Sequence, residues 1–207
     1  MPSRVIKICG LTNSFDAIAA AAAGATALGF NFYPNSKRFL KADDAESVAG
    51  SVPAGVLKVG VFVNEPKAEV EALARRLHLD VAQLHGDEQP GDFPQNVPVW
   101  KALRIGPDFR PNTLKQYGDV QAFLFDGPAG VEYGGAGVPF LWSMARDAGH
   151  RIIVAGGLDA SNVGQAIHES GAWGVDACSR LESQPGRKDH ARMIQFIEAA
   201  RAAQGLL

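Results

Sequence analysis

Short apolar runs alternate along the chain with longer segments whose apolar residues recur three and four positions apart. The short runs, at 4–9, 27–32, 57–62, 80–84, 99–103, 122–126, 152–155 and 174–176, are rich in branched and aromatic side chains and predict strands. Several read as continuously apolar rather than alternating, the pattern of parallel strands buried on both faces. The intervening periodic segments predict helices. Residues 14–24 have Ser or Asn at their start, an alanine-rich body and a closing glycine. Residues 66–78 place Val70, Leu73, Ala74 and Leu77 on one face behind a first-turn proline. Residues 161–170 start at a capping Ser161, and 189–203 open at Asp189 with Met193, Ile194, Phe196, Ile197 and Ala200 facing inward. The segments after the second, fourth, fifth and sixth strands carry weaker or shorter helical signals.

Eight strand–helix pairs without a flexible linker or composition shift predict an α/β fold, a single-domain (β/α)8 TIM barrel over residues 1–207. The main alternative is an open, doubly wound sheet. The composition, with 46% apolar and 20% charged residues, is that of an ordinary soluble domain. A net charge of -2 argues against a nucleic-acid partner. The N-terminus lacks an apolar signal core, and the alanine-rich stretch at 17–23 is too short to span a bilayer, so no membrane association and a cytoplasmic location are expected. Two cysteines, Cys9 and Cys178, make no disulfide framework and fit a reducing compartment. In a closed barrel they fall on neighbouring first and last strands.

Functional residues of such a barrel collect where strands end. Those positions hold Cys9-Gly10, the stretch from Asn31 to Arg38, Asn64, Gln83 to Gly86, Lys101, Asp126-Gly127, Ala155 to Gly157, and Asp176 to Ser179. Cys9 is either a buried apolar-like thiol or a base; an unperturbed thiol titrates near about 8.5, and Lys7, two residues earlier, can face the same side and favour the thiolate. Asp126 is either a turn cap beside Gly127 or a carboxylic acid held protonated by its apolar surroundings. Arg38 is a solvated loop residue or, through its rigid fork, the receptor of a ligand carboxylate. His85 is a substrate contact, a proton carrier or a satisfied core histidine.

Gly156-Gly157, ahead of a helix, lets backbone N–H groups approach an oxyanion. The last strand runs into Asp176-Ala177-Cys178-Ser179-Arg180, which adds backbone donors, a hydroxyl and a cation. Barrels commonly bind phosphate after strands seven and eight, so the two segments together form a phosphate-site candidate. Gly134-Gly135-Ala136-Gly137 is a permissive turn or a lid over a ligand. The chain carries no nucleotide-binding loop pattern, and its five histidines are scattered without a metal-ligand spacing.

The ordered set Lys7-Ile8-Cys9-Gly10-Leu11-Thr12, Gly29 to Phe32 with Ser36-Lys37-Arg38, Val61 to Asn64, Gln83 to Gly86, Asp126, Gly134 to Gly137, Ala155 to Leu158 and Gly174 to Asp176 resembles the phosphoribosylanthranilate isomerase family of tryptophan biosynthesis. The resemblance covers nearly the whole chain. It implies a single-domain barrel, monomeric or homodimeric, that catalyses a cofactor-free and metal-free Amadori rearrangement of a phosphorylated anthranilate-ribose substrate. It places the base on Cys9, the general acid on Asp126, the anthranilate carboxylate contact on Arg38, and phosphate recognition on Gly156-Gly157 and the segment after strand eight. Three departures from the family pattern stand out: Lys37 stands for proline, Cys178-Ser179-Arg180 for Ser-Ser-Gly, and Ala136 for threonine. Two other functions share the strand-end chemistry: a different sugar-phosphate isomerase of the same barrel group, and a non-catalytic phosphosugar-binding protein.

Overall fold

The structure, a computed structural model, describes residues 2–106, 108–127, 142–146 and 148–205. Eight parallel strands close into a barrel in sequence order: β1 Val5–Ile8, β2 Ala27–Asn31, β3 Leu57–Phe62, β4 Val81–Leu84, β5 Val99–Arg104, β6 Ala122–Asp126, β7 Ile152–Val154 and β8 Gly174–Ala177. The seam pairs Lys7 with Asp176 and Ile8 with Ala177 across β1 and β8. The (β/α)8 expectation therefore holds, and the open-sheet alternative does not.

Side chains alternate across a strand, so each strand feeds two cores. Val5, Ala27, Val59, Val81, Trp100 and Leu124 pack inside the barrel. The neighbouring positions, among them Ile6, Phe30, Phe123 and Val175, face the helical layer. This parity decides which strand-end residues reach the interior. From Val5 the inward series runs to Lys7 and Cys9; from Val81 to Gln83 and His85; from Leu124 to Asp126; from Gly174 to Asp176 and Cys178.

The outer layer is uneven. α1 Ser14–Ala23, α2 Ala42–Gly50 and α3 Lys67–Leu77 cover the first three strands. The side chain of Asn13, not Ser14, caps α1 by accepting from the Asp16 N–H at 2.8 Å. Among the described residues, only 3₁₀ turns follow β4 and β5, Pro90–Asp92 and Pro111–Tyr117, where the sequence signal is weak. α4 Ser143–Arg146, α5 Val163–Ser170 and α6 His190–Ala203 follow. Asp189 caps α6, accepting from the Arg192 N–H at 3.1 Å.

One local expectation is corrected. α5 starts two residues later than expected, behind Asn162, because the Ser161 N–H donates to Asp159 Oδ1 and its hydroxyl lies against the same oxygen, forming a turn instead of a cap. Between β8 and α6 the chain makes a 3₁₀ turn, Ser179–Leu181, and a small hairpin of β9 Glu182–Gln184 and β10 Arg187–Lys188. The stretch Gly134-Gly135-Ala136-Gly137 lies outside the described residues. Among the described residues, no helix is long and apolar enough to cross a membrane.

Candidate active site

The innermost charged layer sits on the β1–β8 seam. Lys7 Nζ donates to Asp176 Oδ1 at 3.0 Å, and both groups are buried. Burial opposes the Lys7 charge, but the negative charges of Asp176 and Cys9 overcome it and raise the ammonium above its ordinary range. Burial pushes the Asp176 carboxyl up to about 7 against the pull of Lys7. Asp176, expected at the substrate, is therefore committed to Lys7 beneath the rim.

One layer nearer the rim, Cys9 and Cys178 come together. Cys9 is 9% exposed. The neighbouring Cys178 thiol and, after it, the Lys7 cation hold Cys9 well below the ordinary thiol range, against burial. Cys178 moves the other way: its bond to Cys9 and burial raise it well above that range. The assignment of the anion to Cys9 follows from the neighbours, since Cys178 Sγ lies 3.9 Å from the Glu182 carboxylate. Both cysteines are free thiols.

Gly10 allows this crowding. Its φ is +72°, and a Cβ there would stand 2.8 Å from Cys178 Sγ and 3.0 Å from Arg38 Cγ. Arg38 thus reaches the Cys9 rim from the loop after β2. Its Nε and Nη2 donate to the two Glu182 oxygens, at 3.1 and 2.5 Å for the shortest contacts. Glu182 is buried and also meets Lys188 Nζ at 3.2 Å. Burial raises the Glu182 carboxyl, but Arg38 and Lys188 outweigh it and hold it below its usual range. A guanidinium has five N–H donors, so Arg38 keeps donors for a ligand while Glu182 fixes its plane. Sequence reasoning missed Glu182 and Lys188.

Across the barrel, Asp126 ends β6 with its side chain 30% exposed, and its Oδ2 lies 3.6 Å from His85 Nε2. His85 follows β4 and meets Gln83 Nε2 through Nδ1 at 3.2 Å. The loop after β4 is pinned from below: Lys101 Nζ donates to the Gly86 carbonyl at 2.7 Å and to Glu88 at 2.9 Å, and Glu88 accepts from the Asn64 N–H at 2.8 Å. A cavity of about 410 Å³ beside this loop is lined by His85, Gly86, Arg104 and Tyr117. The charge of Asp126 reaches Asp176 and the charge of Asp176 reaches Lys7, so the two sides share one electrostatic site.

The glycines after β7 adopt left-handed conformations, φ +92° at Gly156 and +62° at Gly157. Asn162 Nδ2 donates to the Gly157 carbonyl at 3.0 Å and ties the turn to the start of α5. A cavity of about 500 Å³ opens between Asp159, Ser161, Ser179, Arg180 and Arg192. Arg180 donates to Asp159 at 2.8 Å, so its charge is paired. Among the described residues, no group of three or more His, Cys, Asp or Glu side chains is arranged to hold a metal ion.

The site thus offers a polarised thiol and a carboxyl on one rim, an oriented guanidinium, and glycine-rich backbone after β7. A family model described as N-(5'phosphoribosyl)anthranilate (PRA) isomerase matches residues 6–199. The N-(5'-phosphoribosyl)anthranilate isomerase of Solibacter usitatus is 54% identical over 203 residues, covering 97% of this chain and 99% of that protein. The crystal structure of phosphoribosyl anthranilate isomerase from Thermotoga maritima superposes with a TM-score of 0.87 at 35% identity, covering 96% of this chain and 99% of that one. A crystal structure of phosphoribosyl anthranilate isomerase in complex with reduced 1-(o-carboxyphenylamino)-1-deoxyribulose 5-phosphate matches with a TM-score of 0.85 at 32% identity, over 96% of this chain and 99% of that one. Agreement of sequence and fold over almost the full length shows that this chain belongs to the N-(5'-phosphoribosyl)anthranilate isomerase family.

Proposed function

We propose that the chain rearranges N-(5-phosphoribosyl)anthranilate to 1-(2-carboxyphenylamino)-1-deoxyribulose 5-phosphate by general acid–base catalysis, with Cys9 as base and Asp126 as acid. The observation that carries this reading is the placement of Cys9 Sγ beside Lys7 Nζ, the two lying 2.9 and 3.0 Å from where a Gly29 Cβ would stand, which favours the thiolate on the rim that also bears Asp126. Asp126 protonates the furanose ring oxygen as its bond to the anomeric carbon breaks. The anthranilate nitrogen takes up the cation as a Schiff base, which acidifies the C2 proton. Cys9 removes that proton, and the resulting enolamine tautomerises to the aminoketone. Each positioned proton transfer contributes about 10²–10⁴-fold. Proton transfers alone complete the change, so the proposal invokes no cofactor.

Arg38, oriented by Glu182, receives the anthranilate carboxylate. Gly156, Gly157, Ser179 and the backbone at Cys178 receive the phosphate, and His85 contacts the substrate beside Asp126. Asp176 acts through Lys7 and Cys9 instead of touching the ligand. The whole of 1–207 is read as one barrel acting as a monomer or homodimer in the cytoplasm, a setting that suits two free thiols.

The test is the loss of substrate fluorescence on adding purified protein to freshly generated phosphoribosylanthranilate. Wild-type protein turns it over, while folded Cys9→Ala and Asp126→Ala each lose about 10²-fold or more. Full activity of both variants would refute the roles. Binding without turnover would indicate a phosphosugar-binding protein, and turnover of only another phosphosugar a related isomerase.

A further inference from the structure

The seam between β1 and β8 sets two thiols side by side. Ile8 and Ala177 are register partners, and the Cys9 N–H donates to the Ala177 carbonyl at 2.9 Å, so the pairing continues past the last strand residues. Lys7 and Asp176, two positions earlier on each strand, point inward and meet at 3.0 Å. Alternation then gives Cys9 and Cys178 the same inward direction one layer higher. Adjacent strands lie about 4.7–4.9 Å apart, within the Cα separation of about 4.4–6.8 Å that a disulfide spans. Both sulfurs crowd the glycines at the start of this rim, Cys178 Sγ 2.8 Å from where a Gly10 Cβ would stand and Cys9 Sγ 2.9 Å from where a Gly29 Cβ would stand, and both cysteines are free.

We propose that Cys9 and Cys178 form an oxidisable dithiol that a small hydroperoxide converts to a Cys9–Cys178 disulfide, reversibly blocking the site. Cys9 sulfur attacks a peroxide oxygen, the O–O bond breaks, and the distal fragment leaves with a proton as water or an alcohol. Cys9 is then a sulfenic acid. Cys178 sulfur attacks it, the S–O bond breaks, and the departing hydroxide takes the Cys178 proton to become water. The two thiols lose two electrons and two protons, and the hydroperoxide accepts both electrons. Lys7 stabilises the attacking thiolate. Lys188 Nζ, 3.9 Å from Cys178 Sγ, supplies positive field for the second attack. Cys178 is thereby a resolving thiol, which stops the oxidation of Cys9 before its irreversible stages. The functional consequence rests on the isomerase reading, since it requires Cys9 as the base; the bond itself does not.

Reduced, full-length protein is treated with a molar excess of hydrogen peroxide, its remaining thiols are alkylated, and a non-reducing digest is mapped by mass spectrometry, with the isomerase rate measured before treatment, after it and after dithiothreitol. A Cys9–Cys178 crosslinked peptide is expected, with the rate lowered by about 10²-fold or more and restored by dithiothreitol. Cys178→Ser is expected to carry Cys9 on to sulfinic acid with a loss, relative to its own untreated rate, that dithiothreitol does not reverse. Sulfinic Cys9 beside an alkylated Cys178 in the wild type, or two unreacted thiols, would overturn the dithiol. A crosslink that leaves the rate unchanged would overturn the blockade. A crosslink in protein that shows no isomerase rate before treatment would support the dithiol and refute the isomerase reading instead.

Discussion

Lys7 Nζ donates a hydrogen bond to Asp176 Oδ1 across the β1–β8 seam, one layer below the sulfurs of Cys9 and Cys178. The pair makes the floor of the site electrostatically active. Lys7 serves two anions at once, and its position explains how a thiol in an apolar barrel keeps its ionised form accessible.

Replacing Lys7 by methionine removes that cation while keeping bulk. The midpoint of Cys9 alkylation by iodoacetamide, followed against pH and read at the Cys9 peptide, should rise, because a nearby cation favours the thiolate. An unchanged midpoint would remove Lys7 from the account of Cys9 reactivity. The stability cost should fall short of the roughly 3–5 kcal/mol typical of a broken buried pair, because burial already favours the neutral Asp176 carboxyl.

Asp176 also predicts a pH dependence of stability. Its carboxyl is raised to about 7 in the fold, against about 3.9 in an unfolded chain. Between those values the folded state binds the extra proton, so this contribution is complete below the unfolded pKa and is lost as pH rises through about 7. Urea titrations across the window should show a flatter profile for Asp176→Asn than for wild type. Parallel profiles would show that Asp176 ionises alike in both states.

The Arg38–Glu182 pair makes the opposite prediction. Glu182 is depressed in the fold, so its contribution is present above its unfolded pKa and is lost as pH falls through the lower folded value. Glu182→Gln leaves buried Lys188 without its carboxylate and should destabilise by about 3–5 kcal/mol at neutral pH, the gap to wild type narrowing in acid. With Arg38 unclamped, KM should rise more than kcat falls. A fall in kcat at constant KM would argue that Glu182 acts on the chemistry and not on the guanidinium.

Gly29 tests the spacing around the proposed base. A Cβ there would stand 2.9 Å from Cys9 Sγ and 3.0 Å from Lys7 Nζ. Gly29→Ala should displace the sulfur and lower kcat by about 10²-fold, the scale of a 1 Å misplacement, with the circular dichroism spectrum retained. Wild-type kcat in this variant would mean that the sulfur position tolerates the shift.

The strands, and the places of Cys9, His85, Asp126 and Cys178 at their ends, were legible in the chain because each depends on local apolar spacing. Arg38 was legible as a cation near the rim, but its clamp was not. Glu182 lies 144 positions away, in a hairpin too short to leave a periodic trace. Lys101 was visible at a strand end, whereas its partner Glu88 sits in a polar stretch that reads as ordinary loop. Asn162 displaced Ser161 at the start of α5 because Asp159 engaged the serine first, a competition between neighbouring side chains that residue preference alone does not resolve.

Because Lys7 and Cys9 lie on and just after the first strand, and Asp176 and Cys178 on and just after the last, the reactive layer has no existence in a partly wound molecule. During refolding, the emergence of turnover should lag behind the helical circular dichroism signal and coincide with the meeting of the two chain extremities. The catalyst reports its own circular completion.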